Sequence, residues 1–211
     1  MIAHNKPTLG KEEESAASQV IRSNWLAQGE EVELFENDIC DFLHIPKHHA
    51  VAVSSGTAAL YLALWALEAK TKKIALPAYT CSSLRHAVAM AGGEEVILDT
   101  KKNNPNIDVK ELDENKTPIA IVQHTFGIPN DISNINSNIQ IIEDCAQALG
   151  AKMNNQFVGI KGDVGIFSFY ATKLITSGGQ GGMVVSKDKS LIELTFVICP
   201  LLLTILVQHY F

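Results

Sequence analysis

Seven short aliphatic runs, each followed by a polar or small residue, constrain this chain more than any other feature. They read AVAVS (50–54), KIALP (73–77), EEVILD (94–99), PIAIVQ (118–123), IQIIED (139–144), VGIFSF (164–169) and GMVVSK (182–187). Runs rich in Val and Ile without regular polar alternation suit strands buried on both faces, as in a mostly parallel sheet. Between them lie stretches of helical character, TAALYLALWALEA after the first run and CSSLRHAVAMAG after the second. Ahead of them, residues 12–25 and 31–42 predict two amphipathic helices; in the second, Val32, Phe35, Ile39 and Phe42 recur on one face. The expected class is α/β, a mostly parallel or mixed open sheet flanked by helices. DTKKNNPNID (99–108) is the clearest surface loop.

Composition narrows the function. With 46% hydrophobic and 19% charged residues, the chain can build a core, and its net charge of −6 gives it no electrostatic reason to seek nucleic acid or an anionic membrane. The cysteines Cys40, Cys81, Cys145 and Cys199 are dispersed, with no CxxC pair, which argues against a zinc site and fits a reducing cytoplasm. The first residues, MIAHNKPTLGKEEES, contain no apolar stretch of the kind that opens a secretory signal. The segment 191–211 is unlike the rest: it is apolar, and Pro200 interrupts it. Its apolar core, 196–207, is shorter than the ~20 residues that a spanning helix needs, so a membrane role is disfavoured.

In open α/β sheets ligands gather at the carboxyl ends of the strands, and the chemically interesting residues stand there. SSGTAAL (54–60) joins a run to a helix; its Ser-Gly-Thr is either a helix N-terminus that receives a phosphate or an ordinary capped turn. Asp144 closes IQIIED, where a carboxylate is costly unless paired or used, though strand-end aspartates are also common in turns. Gln147 lies one turn on and points the same way if a helix begins there. In SFYATKLITSGGQGG, Lys173 sits between an apolar run and a glycine cluster, either as a buried Schiff-base amine or as a surface loop lysine. Ser168 is a further candidate for phosphate. Taken together, an amine, an acid and a phosphate cup match the needs of pyridoxal 5′-phosphate (PLP).

The blocks LAQGEEVELFE, VAVSSGTAALYLAL, LPAYTCSSLRHAVAMAGGEEVILDT, IIEDCAQALGA and GDVGIFSFYATKLITSGGQGGMVVS, in this order, resemble the DegT/DnrJ/EryC1/StrS family of PLP-dependent aminotransferases. The resemblance runs from about Pro7 to about Lys189. It implies the large domain of the fold-type-I aminotransferases, a homodimer with sites between subunits, and amino transfer, with glutamate as the expected donor, to a nucleotide-linked keto sugar for polysaccharide biosynthesis. Carried over by position, Lys173 would hold the cofactor and move protons, Asp144 would pair with the ring nitrogen, and Gln147 would lie near the ring hydroxyl. Gly56, Thr57 and Ser168 would bind the phosphate. Cys81 stands where many members place an aromatic over the ring, with Tyr79 as a substitute. Relatives that dehydrate sugars carry histidine in place of the lysine, so Lys173 implies transamination.

The resemblance also implies more large domain and a small C-terminal domain beyond position 190, for which this sequence has only the apolar segment 191–211. The expected organisation is therefore a PLP-binding large domain over 1–190 and an atypical tail. Two other readings accompany the enzyme: a truncated, catalytically incompetent relative that at most binds PLP, and a fragment that associates with a membrane or partner through its tail.

Overall fold

All seven apolar runs become strands of one sheet. The structure, a computed structural model, describes residues 7–112 and 116–197. Helices α1 (Lys11–Ser23) and α2 (Glu30–Leu43) lead into β1 (Ala50–Val53), α3 (Gly56–Ala66), β2 (Lys73–Pro77), α4 (Ser82–Met90), β3 (Glu94–Leu98) and β4 (Ile119–Gln123). Then come β5 (Gln140–Asp144), a small hairpin of β6 (Lys152–Met153) and β7 (Gln156–Phe157), β8 (Val164–Ser168) and β9 (Gly182–Val185). The backbone is helical again over 189–197.

The sheet order is β1-β9-β8-β5-β4-β2-β3. β9 runs antiparallel to both its neighbours, β1 and β8, and every other pairing is parallel. The chain leaves β1 at one edge and, through α3, reaches β2 near the other; that crossover lays α3 over β8 and β9. The central strands are mainly apolar because both faces are covered, whereas edge strand β3 exposes Glu94, Glu95 and Ile97. On one face, Ile119 and Ile121 of β4, Ile142 of β5 and Ile166 of β8 pack with α3 and α4. On the other, Ile39, Cys40 and Leu43 of α2 meet Phe167, Met183 and Val185, while Ala120, Val122 and Ile141 meet Leu98, Ile107 and Leu112.

Three details differ from expectation. The buried stripe of α2 ends on Leu43, and Phe42 turns outward onto Phe157 with ring centroids 4.9 Å apart. α1 buries none of its residues, and Ile21 is exposed. The loop 99–108 is anchored at its far end: buried Asn106 accepts from the Thr125 N–H and donates to the Ile128 carbonyl. In the last helical stretch Ile192 and Thr195 are buried, so the start of the apolar segment packs on the domain; Cys199, Pro200 and the rest of that segment lie outside the described residues.

Candidate active site

A cleft of about 220 Å³ opens at the carboxyl ends of the parallel strands, on the α3 face of the sheet. It brings together Gly56, Thr57, Cys81, Asp144, Gln147, Ser168 and Lys173, all singled out in the sequence, but not Tyr79.

The N-terminus of α3 forms one wall. Ser55 caps the helix, its Oγ accepting from the Ala58 N–H at 3.1 Å. The N–H groups of Gly56 and Thr57, in the first turn, have no intrahelical acceptor and carry the positive end of the helix dipole. The turn is pressed into the sheet. A Cβ at Gly182, the first residue of β9, would lie 2.2 Å from the Ser55 carbonyl oxygen, so only glycine lets the strand pass beneath.

The floor is a row across three strands. Gln123, Asp144 and Ile166 are register partners on β4, β5 and β8, and all three face the cleft. Asp144 is buried, and its Oδ1 accepts from the Ala146 N–H at 2.9 Å. Burial raises its pKa above 3.8 against the opposing pull of that N–H and of the charge on Lys173. An acid held thus gains most from a cationic partner in the cleft.

Behind this row, on the other face, Glu143 joins His124 and the backbone. His124 Nδ1 accepts from the Asn130 N–H at 3.0 Å, which leaves the ring proton on Nε2, 2.9 Å from Glu143 Oε2. Glu143 Oε1 accepts from the N–H groups of Lys161 and Gly162, each at 2.7 Å. Burial pushes the Glu143 pKa up, but these bonds outweigh it and hold the carboxyl below 4.5. The pair locks the ends of β4 and β5 together from below. Sequence reading passed over both residues because the interaction spans separate strands.

Lys173 lies in the connection from β8 to β9. Its N–H donates to the Tyr170 carbonyl at 2.9 Å, and the loop is pinned by Ala171 N–H to the Gly179 carbonyl at 2.8 Å and Phe169 N–H to the Gly181 carbonyl at 2.9 Å. The lysine is half-buried and lines the cleft. Gln147 follows a turn rather than opening a helix, because the chain bends after β5 to form the β6–β7 hairpin. Its Oε1 accepts from the Phe126 N–H at 3.1 Å. That bond fixes the carboxamide and leaves its NH₂ as the donor end.

Cys81 is the N-cap residue of α4 and lines the cleft. Hydrogen bonds from Ser83 lower its thiol pKa below 9.0, aided by the charge of Lys173. Tyr79 does not line the cleft; it is exposed, with its ring 6.2 Å from that of Phe126.

A parallel-dominated sheet that gathers a helix N-terminus, a buried acid and a loop lysine at one cleft has the layout in which open α/β folds place their ligand sites. The profile of the DegT/DnrJ/EryC1/StrS aminotransferase family matches residues 7–201, and the chain belongs to that family. The match continues past Lys189, into the apolar segment. GDP-perosamine synthase of Escherichia coli O157:H7 is 32% identical over 198 residues, covering 89% of this chain and 54% of its own length. An aminotransferase from Psychrobacter cryohalolentis superposes with a TM-score of 0.85 at 30% identity, over 90% of this chain and 51% of that one. An Escherichia coli GDP-4-keto-6-deoxy-D-mannose-3-dehydratase with bound hydrated PLP gives a TM-score of 0.85 at 26% identity, over 94% of this chain and 55% of that one. The chain spans about half the length of the curated relatives it matches. The fold is that of PLP-dependent sugar aminotransferases. Among the described residues no helix is long and apolar enough to cross a membrane.

Proposed function

We propose that this chain carries the PLP-binding half-site of a sugar aminotransferase that moves an amino group from an amino acid, glutamate by preference, to a nucleotide-linked keto sugar. The observation that carries this reading is the convergence of Lys173, Asp144, Gln147 and the α3 N-terminus on one cleft. Its volume of about 220 Å³ falls below the ~300 Å³ at which pockets for drug-sized ligands begin, so it suits a compact cofactor rather than a whole nucleotide sugar.

The residues present fit PLP. Gly56 has no Cβ to crowd Ser168, so the Gly56 and Thr57 N–H groups and the Ser168 hydroxyl can share an anion. Asp144 is buried, raised in pKa and poised to gain from a pyridinium N–H. Bound PLP supplies an electron sink for the carbon that loses its proton. Lys173 Nζ would hold the cofactor at its carbonyl carbon, with loss of water, and, once displaced by the amino donor, would move that proton. Gln147 donates its NH₂ to the ring-hydroxyl side. The apolar rim beside the cleft, Tyr170, Leu174 and Ile175, is exposed and suits coverage by a second copy in a homodimer. A cytoplasmic location follows the same reading.

The test is PLP titration followed by borohydride reduction and peptide mapping. Phosphopyridoxyl label on Lys173, absent from Lys173→Ala, supports the reading. Label on another lysine would remove Lys173 from its role.

A further inference from the structure

Gln123 closes β4 inside the cleft, and no role has been assigned to it. It is 5% exposed, and its Oε1 is buried without a hydrogen-bond partner. Nearby donors are committed elsewhere: the Ala146 N–H to Asp144 Oδ1, the Phe126 N–H to Gln147 Oε1 and the Ala58 N–H to Ser55 Oγ. Along β4 the same face carries Ile119 and Ile121, both fully buried and aliphatic. The stripe turns polar at position 123, where the strand meets the cleft beside its register partner Asp144.

A buried acceptor with no donor keeps its full desolvation cost and gains nothing in return. On packing grounds alone an aliphatic residue would serve better here, as the rest of the stripe shows. The cost is recovered when something in the cleft brings a donor.

We propose that Gln123 is a ligand contact of the cleft: its carboxamide hydrogen-bonds the polar edge of the flat ring that Asp144 receives. This rests on the reading of the cleft as a PLP site. Asp144 takes the charge at the ring nitrogen. Gln123, one strand over in the same row, adds a neutral hydrogen bond along that edge and helps to set the in-plane orientation of the ring. Ile166, the row's third member, offers only an apolar surface, so the floor reads one side of the ring as polar and the other as apolar.

The experiment compares wild type with Gln123→Met, a near-isostere without the amide, and with Gln123→Leu as a second apolar replacement. PLP affinity is read by absorbance titration of the 211-residue chain, and the melting temperature is read without PLP. The expected result is opposite signs. Binding weakens about tenfold, while the melting temperature without PLP stays at or above that of wild type, because an unsatisfied polar atom has been removed. Affinity unchanged in both variants overturns the proposal. Weakened binding in chains that also melt below wild type marks Gln123 as a packing residue and equally overturns it. Failure of wild type itself to bind PLP saturably overturns the cofactor reading, and this inference with it; binding by wild type that both variants retain overturns this inference alone.

Discussion

Gly56, at the start of α3, and Ser168, at the end of β8, sit so close that a methyl group on Gly56 would lie 2.9 Å from Ser168 Cβ and 3.2 Å from its Oγ. The helix start and the strand end thus meet as one piece, as the proposed anion cradle of first-turn N–H groups and Ser168 hydroxyl requires. The contact joins residues more than a hundred positions apart.

Gly56→Ala should therefore damage the cradle. The new Cβ meets the stem of Ser168 rather than a flexible tip, so helix or strand must shift. Overpacking of this kind costs about 1–3 kcal/mol. Urea denaturation is expected to show a loss in that range, and PLP titration a loss of about tenfold or more in affinity. A variant that binds PLP like wild type would separate the cradle from phosphate binding.

Asp144→Asn is expected to stabilise the chain in the absence of PLP at neutral pH. Burial raises the folded-state pKa of Asp144 above 3.8, so its favourable contribution is complete below that value and is lost as pH rises through the folded value. Asparagine keeps an acceptor for the Ala146 N–H without the charge. Melting temperatures across pH should show the variant above wild type at neutral pH, with the gap closing in acid. In full-length relatives carrying the same IIEDCAQ block, the same change is expected to slow half-transamination while sparing PLP binding. An equal rate would leave Asp144 a structural role alone.

The His124–Glu143 pair makes the opposite pH prediction. Glu143 is held below 4.5, so its contribution is complete above that pH and is lost as pH falls through its folded value. Glu143→Ala leaves His124 Nε2–H and the N–H groups of Lys161 and Gly162 without their acceptor, and a loss of about 3–5 kcal/mol is expected. Glu143→Gln, which retains an acceptor, should fall between the two, and its deficit should shrink in acid. Chemical denaturation from neutral pH downward measures both.

Among the described cysteines, Cys81 should react first with iodoacetamide. It is exposed with a lowered pKa, whereas burial raises the thiols of Cys40 and Cys145. PLP is expected to protect it, and Lys173→Ala to slow its alkylation by removing a nearby positive charge. Mass-spectrometric mapping of time points tests this, and equal rates at Cys81 and Cys145 would refute it.

Much of this protein is legible along the chain. A strand buried on both faces is apolar along most of its length, so the aliphatic runs of IAIVQ and QIIED announce themselves without their neighbours. A parallel sheet then puts its ligand groups at the strand ends, which is why Lys173, Asp144 and the Ser-Gly-Thr turn could be singled out from local sequence alone. The small β6–β7 hairpin escaped because two-residue strands carry no periodicity, and the turn at Gln147 because hydrogen bonds rather than composition bend the chain there. Phe42 looked like a core residue by spacing, but rotation of α2 on β1 gave that place to Leu43. The pairing of His124 with Glu143 and the placing of Gln123 beside Asp144 belong to tertiary structure. Each joins residues on different strands, and their meeting depends on strand order and register. Local sequence determines which segments are buried strands; only the assembled sheet decides which polar side chains share its edge, because register is a relation between segments and is written in neither one.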